Sequence, residues 1–314
     1  MKVLITELIW DEGKNLLEGF ADVHYDPELW RKPEVLLSMA KSADALIVRN
    51  QTKVDEELLN QCENLKVVGR LGVGLDNIDI PAARKQSIQV VYARNANAIS
   101  VAEYVMTAIL SLNRELKLAD HSVKQLEWNR RLFTGTEIYG KTIGLIGVGE
   151  IAHRIAKRAS SFGMKVVGYD PFVMDYDFQA AESGIELLNL EQVLPIADYI
   201  SIHVPLVPGT KNLFGKDEFR KMKPSSCLIN TSRGGIINES DLSWALDTGE
   251  IGCAVLDVLE QEPPQKEHPL LFNKQVILTP HVAGLTEESQ VRTSVLVASE
   301  VIKVLNKEQP LCTV

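Results

Sequence analysis

The sequence contains few cysteines, and their positions do not suggest a cross-linked or metal-bound fold. Only four occur in 314 residues, at Cys62, Cys227, Cys253 and Cys312. None belongs to a CxxC pair and no histidine cluster lies near them, so neither a disulfide framework nor a zinc site is predicted. Scattered free thiols fit a reducing compartment, and a cytoplasmic location is expected.

Positive charge is also scarce. The chain has 33 Lys and Arg residues against 42 Asp and Glu, which gives a net charge of -9 and a pI near 5.3. A basic surface that displaces counterions from phosphates is therefore missing, and this argues against a nucleic-acid partner. Any anionic ligand would have to be held by a few local cations.

Long apolar runs are absent as well. The first residues, MKVLITELIWDEG, are interrupted by Glu7, Asp11 and Glu12 before the apolar core of a signal peptide is complete. No run is long enough to cross a membrane, so neither a leader nor a membrane partner is expected. The length of 314 residues, with 45% apolar residues, predicts two domains that each have a core.

The stretch from Lys141 to Asp170 is the most informative part of the chain. A β-branched run, Thr142 to Ile146, is followed by Gly147 and Gly149, then by apolar residues at helical spacing, and by a second strand from Val166. This order predicts a βαβ unit of the kind that binds dinucleotides. A glycine-rich string alone would also fit an ordinary strand-to-helix connection, but here every part follows in order.

Each special residue of this unit has a physical task. One glycine makes the turn, and the next leaves room for a pyrophosphate at the helix N-terminus, where N–H groups and the helix dipole attract phosphate. Ala152 only has to let helix and strand pack closely. Asp170 ends the unit, where a carboxylate accepts both ribose hydroxyls. No Arg follows Asp170 directly, so NAD is predicted rather than NADP.

Residues 1 to about 98 alternate short apolar runs with helix-like stretches, which predicts a smaller parallel α/β unit. Its strands are expected at Val3–Ile5, Ala45–Val48, Leu65–Val68 and Gln89–Tyr92. Ligands of such sheets bind beyond the carboxyl ends of the strands. Arginines and a glycine-rich turn follow two of these strands. The predicted substrate contacts are therefore Arg49, Arg70 and the free N–H groups of the turn that contains Gly72 and Val73. A surface or ion-paired role is the alternative for either arginine.

The second half of the chain continues the same logic. A long helix is predicted from Ser100, as its cap, and the mixed segment from about His121 to Tyr139 fits either an arm on a partner subunit or a loop on its own domain. Later strand ends carry polar side chains that the strand-end rule places at one ligand-binding edge. They are His203, Thr231, Ser232, Arg233, Asp257 and His281.

Several ordered motifs resemble one protein family. GVGEIA with YDP, HVPL followed by Thr210, NTSRGGIINE, VLDVLEQEPP and TPHVAG together resemble the D-isomer-specific 2-hydroxyacid dehydrogenases over essentially the whole chain. VRNQTKV and VVGRLGVGLDNID are most similar to the phosphoglycerate dehydrogenase branch. The resemblance implies an α/β fold with two doubly wound parallel-sheet domains. A Rossmann NAD-binding domain, 99–285, would be inserted into a smaller flavodoxin-like substrate domain, 1–98 plus 286–314.

The resemblance also implies roles for named residues. His281 would exchange a proton with the substrate oxygen, Glu262 would orient the imidazole, and Arg233 would hold the substrate carboxylate and 2-oxygen. Taken singly, each has a plain structural alternative, such as a hydrogen-bonded histidine or a turn arginine. The implied cofactor contacts are Gly147, Gly149, Glu150, Ile151, Asp170, His203, Pro205, Thr210, Thr231, Ser232, Asp257 and Gly284. A homodimer is implied as well.

The expected function is NAD-dependent hydride transfer between a small D-2-hydroxy acid and its 2-oxo acid, with 3-phosphoglycerate as first candidate. Alternatives are hydroxypyruvate or glyoxylate reduction, oxidation of another charged acid such as sulfolactate, and non-catalytic NAD sensing. Because the sequence stops at Val314, without the regulatory extension of long phosphoglycerate dehydrogenases, feedback control by serine is not expected. The segment Asn95–Ala98 departs from the proline-glycine turn of many relatives.

Overall fold

The computed structural model describes residues 1–314, which form two compact units. The first unit comprises Met1–Asn97 and Leu285–Val314, and the second comprises Ala98–Gly284. Each is built on a parallel sheet, of five strands in the first unit and seven in the second. The predicted class of two doubly wound α/β domains is confirmed.

The strands are short and follow the apolar runs of the sequence. They are β1 Lys2–Ile5, β2 Asp22–Tyr25, β3 Ala45–Val48, β4 Val67–Arg70, β5 Gln89–Tyr92, β6 Thr142–Ile146, β7 Lys165–Tyr169, β8 Glu186–Leu187, β9 Tyr199–Ile202, β10 Cys227–Asn230, β11 Cys253–Leu256 and β12 Val276–Leu278. The central ones, such as β3, β9 and β10, are buried along their whole length, as expected for strands covered on both faces.

The helices connect and cover these strands. They are α1 Asp11–Glu18, α2 Pro33–Ala40, α3 Glu56–Asn60, α4 Ile80–Lys85, α5 Ala98–Arg114, α6 Leu116–Lys124, α7 Glu150–Ser161, α8 Phe178–Ala181, α9 Leu190–Val193, α10 Lys216–Lys221, α11 Glu239–Thr248 and α12 Glu287–Leu305. No helix has both the length and the apolar character needed to cross a membrane.

The first unit has the strand order β2-β1-β3-β4-β5, which is the flavodoxin-like order. Helix α12 returns to this unit from the end of the chain and buries Val297 and Val301 in its core. Gly69 in β4 permits the close contact, because a Cβ there would lie 2.8 Å from Val301 Cγ2 and 2.9 Å from Val297 Cγ1. The first unit therefore needs both ends of the chain to complete its core.

The second unit has the order β12-β11-β10-β9-β6-β7-β8, with β6 between β7 and β9. This is the Rossmann pattern, in which the strand order reverses beside the first strand and the ligand site lies at the carboxyl ends next to that point. Two apolar clusters, one on each face of the sheet, supply the core. The topology places the turn after β6 at the switch point.

The structure differs from the sequence-based prediction in several elements. Strands β2 and β8 were not predicted, and both lie at sheet edges where burial is incomplete and the apolar signal is weak. Helix α5 begins at Ala98 and already contains Ser100 as a buried residue, so Ser100 is not its cap. Helix α6 covers the start of the mixed segment from about His121 to Tyr139, for which the sequence left an arm or a loop open.

Candidate active site

The turn after β6 requires glycine at its first position. Gly147 has φ of +93°, and a Cβ there would approach the backbone C and O of His203 to 2.9 Å. Its N–H donates to Tyr169 O at 2.8 Å, which ties the turn to the end of β7. A side chain at 147 would therefore meet both an unfavourable φ and an immobile neighbour.

Gly149, the second glycine of the turn, borders an open space. Gly149 is the N-cap of α7, no side chain caps this end, and a Cβ built on Gly149 would meet no protein atom within 4 Å. The N–H groups of the first helical turn thus adjoin an open space, as phosphate binding requires. Of the neighbouring residues predicted to contact the cofactor, Glu150 forms an ion pair with Arg154 and Ile151 packs against the core.

Asp170 is fixed at the end of β7 by two main-chain groups. Its Oδ2 accepts a hydrogen bond from Val148 N and its Oδ1 accepts one from Phe172 N, both at 2.9 Å. A carboxylate oxygen has two lone-pair directions, so each oxygen keeps one for a further donor. The carboxylate therefore stands beside the glycine turn in a fixed orientation and can still accept hydroxyl groups.

Two buried polar atoms near this edge have no partner in the protein. They are His203 Nδ1, in the residue after β9, and Thr231 Oγ1, in the residue after β10. His203 Nε2 lies 2.9 Å from Ser201 Oγ. Burial lowers the pKa of His203 to about 3, so the ring is neutral at physiological pH. Buried polar atoms without partners are uncommon and suit a ligand that supplies the missing hydrogen bonds.

The other predicted contacts on this edge are held by local hydrogen bonds. Thr210 Oγ1 donates to Pro205 O at 2.5 Å and accepts from Val207 N at 2.9 Å, which closes the loop after β9. Ser232 donates from its N and its Oγ to Asn230 Oδ1. Gly284 is the last residue of the second unit.

His281 and Glu262 form a direct pair in the second unit. His281 Nδ1 lies 2.8 Å from Glu262 Oε2, and both side chains keep about half of their surface exposed, at 47% and 40%. Glu262 Oε1 accepts from Leu259 N at 3.1 Å. Burial raises the pKa of the Glu262 carboxyl, but the hydrogen bond from His281 and the charges of His281 and Arg233 outweigh it, so this pKa lies below its usual range.

The main chain of His281 has an unusual conformation. Its φ is +55°, in the left-handed region that residues other than glycine seldom adopt, although asparagine, aspartate and histidine do so more often than the rest. The buried Asp257 holds the segment in place. Its Oδ1 accepts from Val282 N and its Oδ2 from Ala283 N, both at 2.8 Å, and its main-chain O accepts from His281 N at 2.9 Å. The predicted cofactor contact of Asp257 stays a prediction, since these bonds use much of its carboxylate.

A close main-chain contact brings Arg233 beside the glutamate. Gly234 packs against the segment before Glu262 so tightly that a Cβ would lie 2.0 Å from Leu259 O and 2.5 Å from Glu260 N. Arg233 itself donates from Nη1 to Ser232 O at 2.6 Å, and Asn230 Nδ2 donates to Arg233 O at 2.8 Å. The structure thus places Arg233, Glu262 and His281 together in one unit.

In the first unit, Arg49 follows β3 and lies beside a cavity of about 340 Å³ whose wall includes Trp10 and Trp30. Its Nη2 donates to Gln290 Oε1 at 2.6 Å. Burial lowers the pKa of its guanidinium, and the negative charge of Glu7 opposes this effect. Arg49 is therefore a partly buried cation that is both anchored and close to open space.

Arg70 ends the neighbouring strand, with Val48 and Arg70 paired in register. Its Nη1 donates to Leu71 O at 3.3 Å, and a Cβ on Gly72 would lie 1.4 Å from that same nitrogen. Gly72 therefore makes room for the guanidinium. The Gly72 N–H donates to Arg70 O at 2.8 Å, because the chain turns sharply here. The predicted substrate contacts of Gly72 and Val73 stay predictions.

Comparison with known proteins identifies the family. Residues 106–283 match the family model described as D-isomer specific 2-hydroxyacid dehydrogenase, NAD binding domain. The chain belongs to this family. The matched range carries the glycine turn, Asp170 and the His281–Glu262 pair, so the predicted family and its nucleotide, NAD, are confirmed.

Two similar relatives have different named substrates. The chain is 42% identical over 310 residues to the D-3-phosphoglycerate dehydrogenase of Methanocaldococcus jannaschii, covering 98% of this chain and 58% of that protein. It is 43% identical over 305 residues to the (S)-sulfolactate dehydrogenase of Chromohalobacter salexigens, covering 96% and 98%. The chain spans about half the length of the phosphoglycerate dehydrogenases that it matches. A crystal structure of a Thermus thermophilus protein superposes with a TM-score of 0.90 at 29% identity, covering 100% of both chains.

The residues of this family member fit NAD. The open space beside Gly149, the uncapped start of α7 and the orphaned polar atoms of His203 and Thr231 all provide what a dinucleotide needs. Sequence-based prediction missed the supporting groups. Glu7 and Asn77 form hydrogen bonds with the main chain around Arg49. Thr279 Oγ1 lies 2.5 Å from Asp257 Oδ1 and 2.5 Å from Tyr104 Oη. Only Glu7 carried a signal, as a carboxylate two residues after the end of the buried strand β1.

Proposed function

We propose that the chain is an NAD-dependent oxidoreductase that interconverts a small D-2-hydroxy acid and its 2-oxo acid. The observation that carries this proposal is the 2.8 Å contact between His281 Nδ1 and Glu262 Oε2, beside Arg233 and in the unit with the nucleotide turn. A histidine with one ring nitrogen held by a carboxylate keeps the other nitrogen in a defined direction for proton exchange.

The residues divide the work of the reaction. NAD, when bound, supplies the hydride acceptor and NADH the donor. His281 takes the hydroxyl proton at Nε2 during oxidation and returns it during reduction. Glu262 accepts the Nδ1–H, which fixes the tautomer and favours the protonated ring by opposite charge. Arg233 binds the substrate carboxylate with its planar guanidinium and stabilises negative charge on the 2-oxygen.

For the substrate we propose 3-phosphoglycerate and its oxidation product, 3-phosphohydroxypyruvate. The support is the 42% identity to a D-3-phosphoglycerate dehydrogenase and the presence of two arginines, Arg49 and Arg70, at neighbouring strand ends of the first unit. One guanidinium is enough to bind a single carboxylate. A second anionic group on the substrate would give the second arginine an ion-pair partner. The predicted substrate contacts of Arg49, Arg70, Gly72 and Val73 all belong to this proposal.

Sulfolactate is a second candidate, supported by the 43% identity to an (S)-sulfolactate dehydrogenase. A sulfonate, like a phosphate, is a second anionic group on a three-carbon acid. The first experiment compares the initial rates of NAD reduction with 3-phosphoglycerate, sulfolactate, glycerate and malate, and of NADH oxidation with hydroxypyruvate and glyoxylate. The highest kcat/KM should fall on 3-phosphoglycerate, and activity should be lost in His281→Gln.

Other results would change the assignment. A preference for sulfolactate would select the second candidate. Activity with hydroxypyruvate or glyoxylate alone would contradict a second anionic group. Tight NADH binding without turnover of any acid would support a non-catalytic sensor and would overturn the enzymatic proposal.

A substitution of Arg70 tests whether this residue binds the second anionic group of the substrate. Arg70→Ala should raise the KM for 3-phosphohydroxypyruvate at least tenfold more than the KM for hydroxypyruvate, because only the former carries the additional charge. The Arg84→Ala variant, on the last turn of α4, is the matched control. Equal changes in KM for both substrates would show that Arg70 does not discriminate between them.

We also propose a cytoplasmic homodimer. Support for the compartment is that all four cysteines are free. Support for the dimer is a set of exposed apolar side chains in and after α6, which would otherwise face water: Leu116 74%, Leu118 58%, Leu126 96%, Trp128 78% and Leu132 63%. Light scattering should give twice the mass of one chain, and Leu126→Asp with Trp128→Ser should give the monomer mass. A wild-type monomer would refute the dimer.

A further inference from the structure

The loop that carries Arg49 is held by a buried carboxylate. Glu7 lies two residues beyond the end of β1 and is 3% exposed. Its Oε1 accepts from Arg49 N at 2.8 Å and Thr52 N at 2.9 Å. Its Oε2 accepts from Asn50 N at 3.1 Å and Gln51 N at 2.9 Å. One carboxylate therefore binds the N–H groups of four consecutive residues.

The opposite side of the same loop is bound as well. Asn77 Nδ2 donates to Arg49 O at 3.2 Å and to Thr52 O at 2.7 Å, and Thr52 Oγ1 lies 2.7 Å from Thr6 Oγ1. Residues 49–52 form neither helix nor strand, so without these side chains their main-chain groups would need water. The loop conformation is thus set by side chains from two other segments.

Arg49 is the residue of this loop that carries a positive charge and lines a cavity. Its guanidinium donates to Gln290 Oε1 at 2.6 Å and adjoins the cavity that contains Trp10 and Trp30. A guanidinium on a loose loop would lose rotational freedom whenever it bound an anion. A guanidinium fixed at its main chain has already lost much of that freedom.

We propose that Glu7 is a positioning residue for substrate binding, which orients Arg49 toward the anionic group of the substrate by holding the main chain of residues 49–52. The proposal rests on the proposed function, in which Arg49 binds that group. Glu7 acts through Arg49 and does not contact the substrate. Its negative charge has a second effect, since it favours the charged form of the partly buried guanidinium.

The test uses Glu7→Gln in the full chain with NADH and 3-phosphohydroxypyruvate. A glutamine keeps one acceptor oxygen but turns an NH₂ group toward two N–H donors. The KM should rise about tenfold and kcat should stay within threefold, because the proton-transfer residues lie in the other unit. Arg49→Ala should raise KM at least as much, and the double variant should be no worse than Arg49→Ala alone. Additive effects would show that Glu7 does not act through Arg49.

Glu300→Gln is the matched control. Glu300 is 1% exposed and accepts main-chain N–H bonds from Leu311 and Cys312, so it is a buried carboxylate of the same kind in the same unit that bonds no residue of 49–52. Both variants should lower the Tm, but only Glu7→Gln should change KM. A lower Tm with unchanged KM in Glu7→Gln would reduce Glu7 to a structural role and overturn the proposal.

Amide hydrogen exchange separates this inference from the proposed function. In Glu7→Gln, the amides of residues 49–52 should exchange at least tenfold faster, whereas in Glu300→Gln they should exchange as in the wild type. If the wild type oxidises none of the acids, the proposed function fails, but the exchange rates still test the loop. Unchanged exchange in Glu7→Gln would overturn the positioning role, whatever the activity.

Discussion

At the scale of single residues, His203 couples the cofactor edge to pH. Burial lowers its pKa from the ordinary 6.5 to about 3, so the folded chain keeps the ring neutral where an unfolded chain would protonate it. Between these values the unfolded state binds one more proton than the folded state. The contribution of the neutral His203 ring to the free energy of unfolding is therefore fully present above pH 6.5 and is lost as the pH falls toward 3.

His203→Gln should remove this pH dependence. In the wild type, the free energy of unfolding should fall by up to about 1.4 kcal/mol for each pH unit below 6 on account of His203, and the variant should lack that contribution. Urea unfolding of the NAD-free protein at pH 7, 6 and 5 measures it. His24→Gln, at an exposed position of β2, is the control. The same slope in wild type and His203→Gln would show that burial does not depress this pKa.

Some residues of the site are predictable from sequence and others are not. Gly147, Gly149 and Asp170 fall at fixed offsets from a recognisable strand, because local chain geometry alone dictates their task. Gly72 was placed correctly in its turn, but the use of its N–H by Arg70 O depends on the sharp local turn and has no sequence signal. The position of Glu7 shortly after β1 was a sequence signal, but its role was not predictable, because its four partners lie more than 40 residues away in sequence.

At the scale of elements, the placement of Arg233 beside the His281–Glu262 pair depends on two loops that touch through their main chains. Gly234 follows Arg233, and its Cα faces the main chain of Leu259 and Glu260 with no room for a methyl group. Leu259 N in turn bonds Glu262 Oε1. A shift of either loop would therefore move Arg233 relative to Glu262 and His281.

Gly234→Ala should lower both stability and activity. A methyl group 2.0 Å from Leu259 O forces the loops apart, at a cost of about 1 to 3 kcal/mol in the free energy of unfolding. We expect kcat to fall at least tenfold, since small displacements of catalytic groups are expensive. Gly19→Ala, where the Cβ would lie at an ordinary 3.5 Å from Asn15 O and φ is -70°, serves as control. Unchanged kcat would show that the two loops adjust independently.

The elements themselves were largely predictable, with an informative exception. The central strand β3 was predicted to the residue, because a strand buried on both faces reads as a continuous apolar run. The edge strand β2, with the sequence DVHY, alternates exposed and half-buried residues and has no such run. β2 is held in the sheet by its pairing with β1. This pairing is a tertiary contact, and a local sequence pattern does not contain it.

At the scale of the whole molecule, the two units differ in how they use the chain. The second is one continuous segment, Ala98–Gly284, with its own two apolar clusters. The first combines Met1–Asn97 with Leu285–Val314, and its core includes Val297, Val301 and Leu305 of α12. The residues after α12 add main-chain bonds to β5, from Tyr92 N to Cys312 O and from Val314 N to Val90 O.

This asymmetry predicts the behaviour of fragments. Residues 98–284 alone should fold and bind NADH, whereas residues 1–97 alone should not fold. The buried side chains of Val297, Val301 and Leu305 are together worth about 5 to 9 kcal/mol, which is comparable to the entire stability of a small domain. Circular dichroism and NADH fluorescence measure both outcomes. Adding a peptide of residues 285–314 to the 1–97 fragment should restore structure, because it supplies the missing helix and its strand contacts. A cooperative unfolding transition of 1–97 without the peptide would show that β1 to β5 and their own helices suffice for the core.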